Sequence, residues 1–203
     1  MKKQIMILIF VVLLTLVNLN GCVDNSSIPL NKVVSLDSLS LDVGDLPEGY
    51  NIWSESYNLS VAISSIVSPL DIYDIVFIYG ESGNFSGFPL VQLTLTRFNS
   101  SDYAEIVLQN STEMMSKILN TILNLKSIEN IEQVGNKSIY KLYQGLLGDD
   151  YENQSATWSF IYFRIDNILA YLLVNEIPTS EIDYVNLTMK YAKIVEERIN
   201  SHI

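Results

Sequence analysis

The hydrophobic period changes abruptly near Asn99, and that change limits the chain to folds that mix sheet and helix. In "PLVQLTLTRF" (89–98), Val91, Leu93 and Leu95 alternate with Gln92, Thr94 and Thr96, the period-2 pattern of a strand with one face in the core. In "NSSDYAEIVLQNSTEMMSKILNTILNLKS" the period lengthens. Ala104, Val107, Leu108, Met115, Ile118, Leu119, Ile122 and Leu125 share one helical face, and Asn110, Glu113, Lys117, Asn120 and Asn124 share the other. Ser100 or Ser101 caps the start, Asp102 complements the helix dipole, and Ile106 is out of phase.

The same two periods recur along the chain. "YDIVFIYG" (73–80) is β-branched and aromatic and stops at Gly, so it reads as a strand that pairs with 89–98 across the loop "ESGNFSG". "IENIEQVGNKSIYKLYQGLL" reads as a hairpin around Gly135-Asn136, and "ATWSFIYFRIDNILAYLLVNE" as another that turns at Asp166-Asn167. "SEIDYVNLTMKYAKIVEERI" is an amphipathic helix, with Tyr184, Leu187, Tyr191, Ile194 and Val195 inward and Asn186, Lys190, Lys193 and Glu197 outward. Residues 56–68 fit helix and strand equally. The expected fold is α+β: an antiparallel sheet built from hairpins, with two amphipathic helices packed on one face. A strand–cap–Asp-Tyr–helix echo at 91–109 and 169–192 agrees with that layout but is too faint to count as a repeat.

The N-terminus, "MKKQIMILIFVVLLTLVNLNGCVDNSS", fixes the expected compartment. Lys2 and Lys3 precede an apolar run from Ile5 to Val17. That run is short of the ~20 residues a spanning helix needs and matches a secretory signal. Leu19-Asn20-Gly21-Cys22 follows, and it resembles the lipobox of prokaryotic, archaeal-type cell-surface lipoproteins. The resemblance implies cleavage before Cys22 and a diacylglyceryl group on its thiol. Cys22 is the single Cys of the chain, and an odd Cys in an exported protein calls for such a role. Two acyl chains hold stably where one does not. The expected division is a signal peptide over 1–21, a lipidated Cys22 and flexible tether over 22–45, and a single α+β domain over 46–203.

Charge and glycosylation motifs point the same way. The formal net charge is −11, and loss of Lys2 and Lys3 makes it −13. A chain this acidic repels nucleic acid and anionic headgroups. Asn-X-Ser/Thr occurs at Asn25, Asn58, Asn84, Asn99, Asn110, Asn136, Asn153 and Asn186, where chance gives roughly three. These are the candidate N-glycosylation sites.

Catalytic chemistry finds little support. The one His, His202, is next to the last residue, where chains fray. With one Cys and one His, zinc lacks its usual ligands. Asp42, Asp45 and Glu48 lack the oxygen pattern of an EF-hand loop. Asp149-Asp150 read as solvated, and Asp71 and Asp74 as turn residues rather than an acid–base pair. Tyr140, Tyr143, Trp158, Phe160, Tyr162 and Tyr171 lie on expected strands, where packing against helices outweighs an exposed binding role. The expectation is therefore a non-enzymatic envelope or protein-interaction module without metal or cofactor. It would be lipid-anchored at the outer face of the cell membrane, with an envelope protein or a glycan as partner. The rival expectation is a single-domain carrier for a small apolar molecule or sugar, with a carboxylate hydrolase last.

Overall fold

The structure is a computed structural model that describes residues 34–59, 69–80, 90–119, 124–126, 132–146, 155–176 and 184–203. Its strands are β1 (Tyr50–Leu59), β2 (Asp71–Tyr79), β3 (Leu90–Arg97), β4 (Asn124–Lys126), β5 (Lys137–Leu146), β6 (Ser155–Ile165) and β7 (Ile168–Glu176). The helices are α1 (Ser101–Leu119) and α2 (Tyr184–Asn200), and two short 3-10 turns, Leu36–Leu39 and Val43–Asp45, precede β1. All neighbouring strands pair antiparallel in the order β1-β2-β3-β7-β6-β5-β4. Two meanders, β1–β3 and β4–β7, therefore meet where β3 lies against β7. The class is α+β with an antiparallel sheet, as the periodicity implies.

The expected placement of both helices on one face does not hold. Along β6 and β7, successive side chains enter two separate cores. Phe160, Tyr162, Leu169, Tyr171 and Leu173 pack with Ala104, Val107, Leu108 and Met115 of α1. Ile161, Phe163, Ala170, Leu172 and Val174 pack with Tyr191, Ala192, Val195 and Ile199 of α2. The helices thus cover opposite faces. The physical reason is visible in "FIYF" and "ILAYLLV", which are apolar at every position and are buried throughout in the structure. A strand without polar alternation has no wet face, so each side needs a cover. The echo between 91–109 and 169–192 is therefore not a structural repeat.

Three further boundaries move. Leu36, Leu39 and Leu41 are buried against Tyr73, Phe77 and the α2 residues of the same core. The folded unit thus takes in residues from Val34 onward that composition had assigned to the tether. The Arg198 guanidinium on α2 fastens this segment, donating to the Ser40 carbonyl and meeting Asp45 at 2.8 Å and Asp42 at 3.3 Å. Helix α1 ends at Leu119, and Leu125, expected on its apolar face, belongs to β4. Gly135 does turn the chain, at φ +64° against the Arg164 carbonyl, where a Cβ would sit 2.4 Å away. The residues just before it are not a strand. The partners of β5 are β4 and β6. The hairpin arm over 128–131 lies outside the described residues, as do 60–68 of the ambiguous segment, whose residues 56–59 end β1.

The other elements stand where the periods put them. Ser100 caps α1, its Oγ accepting from the Tyr103 N–H at 3.3 Å. Ile106, out of phase on the helix wheel, is exposed. The β6–β7 turn falls on Asp166-Asn167, with Asp166 in the left-handed region at φ 48°. The Asn136 Oδ1 accepts from the Asp166 N–H at 2.7 Å, tying this turn to the start of β5.

The buried leucines give a direct test. Leu39→Ala should lower unfolding stability by about 2–5 kcal/mol, the range for a buried Leu, read as a reduced urea midpoint. A loss within about 0.5 kcal/mol, as for a surface position, would return this segment to the tether.

Candidate functional site

An open groove of about 560 Å³ runs between α1 and β5, lined by Gln109, Thr112, Glu113, Ser116, Lys117, Lys137, Ile139 and Lys141. Both walls follow from local periodicity. Residues 109, 112, 113, 116 and 117 form one stripe of a helix, flanking the apolar stripe that holds α1 to the sheet. Residues 137, 139 and 141 alternate on one face of β5. Their register partners on β6 are Arg164, Tyr162 and Phe160, so β5 shows this side chain set to the face that α1 covers.

Glu105 pins one end of the groove. Its carboxylate accepts from Lys137 Nζ, from Arg164 Nε at 3.2 Å and from Gln109 Nε2 at 2.9 Å, joining α1 to β5 and β6. The Lys137 hydrogen bond is the main reason that this carboxyl sits below its ordinary range, with partial desolvation opposing it. Beneath the groove, a void of about 10 Å³ is lined by Thr112, Met115, Ser116, Lys141, Tyr143, Phe160 and Tyr162. The Tyr143 and Tyr171 hydroxyls are buried there or beside it with no hydrogen-bond partner among the described residues. Tyr143 meets Phe160 edge-on at 5.8 Å, and Tyr162 lies 4.8 Å from Tyr171. Burial raises the Tyr162 and Tyr171 hydroxyls far above their usual range. The strand aromatics are thus chiefly core, with Tyr140 and Trp158 half-buried.

Of the lipidation and glycosylation candidates, Asn99, Asn110, Asn136 and Asn186 are exposed. Asn58 lies on β1, while Cys22, Asn25, Asn84 and Asn153 lie outside the described residues. Several of the motif hydroxyls also serve the fold. Thr112 is buried and donates to the Leu108 carbonyl at 2.6 Å, and Thr188 shares a 2.6 Å bond with Ser159. Ser138 accepts from the Val134 N–H at 3.1 Å.

The carboxylates considered from sequence do not converge. Asp71 and Asp74 are on β2 rather than in a turn, and three residues along a strand put them on opposite faces. Asp71 meets Arg97 at 3.4 Å and accepts from the Tyr57 hydroxyl at 2.9 Å. Asp74 accepts from Thr94 Oγ1 at 2.5 Å and Gln92 Nε2 at 3.1 Å. Asp42 and Asp45 cap a 3-10 turn and hold Arg198, Glu48 is exposed, and Asp149-Asp150 lie outside the described residues. His202 is exposed and bonds within the last turn. Among the described residues no group of three or more His, Cys, Asp or Glu is placed to hold a metal ion.

The groove itself was missed in the sequence. Each wall was legible as a polar stripe, but only the strand order and the choice of face for α1 bring the two together.

Asp74 provides a pH test. Burial raises its carboxyl, and the bonds from Thr94 and Gln92 pull it partly back. An acid whose folded pKa exceeds its unfolded one makes the native state lose stability as pH rises between those two values. Asp74→Asn abolishes that loss. The stability difference, variant minus wild type, should therefore grow as pH rises from the ordinary Asp range, in urea melts at successive pH values. A pH-independent difference would contradict the assignment.

No protein-family model and no curated protein matches the chain. In three dimensions it is similar to the extracellular domain of PknH from Mycobacterium tuberculosis, with a TM-score of 0.56 and 9% identity over 81% of this chain and 94% of that one. At that identity the likeness concerns the fold.

Proposed function

We propose that the chain is a lipid-anchored cell-surface lipoprotein whose domain acts by binding rather than by catalysis. The observation that carries this reading is the lone Cys22, set between a signal-like apolar run and a polar stretch that leads into the fold. Cleavage before Cys22 leaves residues 23–33 as the link to the described domain. Among the described residues no helix is long and apolar enough to cross a membrane. The fold shared with a domain named as extracellular supports an outward-facing location. The excess of acceptor motifs, with Asn99, Asn110, Asn136 and Asn186 exposed, supports N-glycosylation there. Within the binding reading, the open α1–β5 groove, with Glu113, Lys117, Lys137 and Lys141 in its lining, supports a partner that carries charge, such as a glycan or an envelope protein.

Metabolic labelling with radioactive palmitate tests the anchor. The wild-type chain should take up label and Cys22→Ser should take up none. A wild type without label, or a labelled Cys22→Ser variant, would contradict the proposal.

A further inference from the structure

Among the described residues, three lysines meet no carboxylate, and two of them line the groove. Arg97, Lys137, Arg164, Lys193 and Arg198 each meet a carboxylate, and Lys190 lies over the Tyr191 ring at 5.7 Å. Lys117 and Lys141 have no carboxylate within ion-pair distance among the described residues, and both line the groove. In a chain of formal charge −11, these two cations face the same space from different elements. Lys137 is matched by Glu105. Lys117 and Lys141 therefore stand against Glu113 alone, leaving one positive charge in the lining.

That excess suits a single negative charge. Ser116 and Lys117 lie in the last turn of α1, at the negative end of its dipole, which disfavours any anion there and a doubly charged one such as phosphate more than a single carboxylate. Arg164, whose fork would suit phosphate, is engaged by Glu105 and by the Asp166 carbonyl. The rest of the lining is hydroxyl, amide and aliphatic: Ser116, Thr112, Gln109, Ile139 and the lysine stems. Such a surface pairs with the two faces of a sugar ring, one polar and one apolar. A volume of about 560 Å³ lies in the range of small-molecule sites.

We infer that the groove binds a sugar acid, a hydroxylated ring bearing one carboxylate, with Lys117 and Lys141 as its charge partners and Ser116 as a hydroxyl partner. The inference rests on the reading of the domain as a binding domain and supplies its ligand class. Capture of a glycan's acidic residue by an acidic protein needs a local reversal of charge, and this groove supplies it.

The test uses the full chain in neutral detergent micelles, titrated with glucuronate, glucose and inorganic phosphate and followed by ligand-observed NMR. Saturable glucuronate binding is expected, at least tenfold tighter than that of glucose or phosphate. The Lys117→Gln/Lys141→Gln variant should weaken it at least tenfold with little change in the urea midpoint, because Lys117 is exposed and Lys141, half-buried over the small void, keeps an aliphatic stem as Gln. Absence of glucuronate binding, equal or tighter binding of glucose or phosphate, or full affinity in the variant would each overturn the inference. Glucuronate that binds through these lysines and is recovered chemically altered would support the site and overturn the non-catalytic reading, so the two failures are separable.

Discussion

The central pair of strands, β6 and β7, has no polar face, and the rest of the fold answers to that fact. Each alternate side chain from Phe160 to Phe163 and from Ile168 to Val174 would meet water on one side or the other if only one layer covered the sheet. Burial of a large apolar side chain is worth ~1.5–3 kcal/mol, so leaving either face bare would remove a large part of the folding free energy. Helix α1 closes one side through Ala104, Leu108 and Met115. Helix α2 closes the other, aided by Leu36, Leu39 and Leu41 from the segment before β1. The edge is treated differently: residues 51–57 of β1 are exposed on both faces.

Cations do much of the stitching between these layers. Arg198 holds the N-terminal segment to α2, Arg97 donates to the Val34 carbonyl while meeting Asp71, and Glu105 gathers Lys137 and Arg164 from adjacent strands. With 12 basic against 23 acidic side chains in the whole sequence, cations are scarce. Those not used in this way are therefore informative. Exposed pairs contribute little stability individually, but a pair joining elements far apart in sequence fixes their register. Lys117 and Lys141 meet no carboxylate among the described residues, and their position on facing walls of one groove is what makes that groove the candidate site.

Local periodicity carried much of the architecture. The β2–β3 pairing, the turn at Asp166-Asn167, the Ser100 cap and the amphipathic C-terminal helix are all short-range consequences of residue order, and all are present. What was not legible depends on contacts between distant segments. Leu36, Leu39 and Leu41 sit in a Ser- and Asp-rich stretch and look like linker until β2 and α2 are placed beside them. Leu125 continues the apolar helical stripe of α1, yet it pairs opposite Tyr143 in the sheet. The opposite-face placement of the helices was legible in principle, because "ILAYLLV" lacks alternation, but a helix wheel says nothing about which face it meets. The groove shares that difficulty: its walls are 20 residues or more apart in sequence and meet only through the sheet order.

The functional proposal depends on Cys22 as the point where the chain is cut and anchored, because an outward-facing, tethered domain is the setting in which binding of an envelope glycan makes sense. Intact-mass spectrometry of the protein extracted from its native membranes tests that most directly. The proposal predicts a chain that begins at Cys22 and carries the mass of a diacylglyceryl group. A chain that retains Met1 and bears no lipid would contradict it.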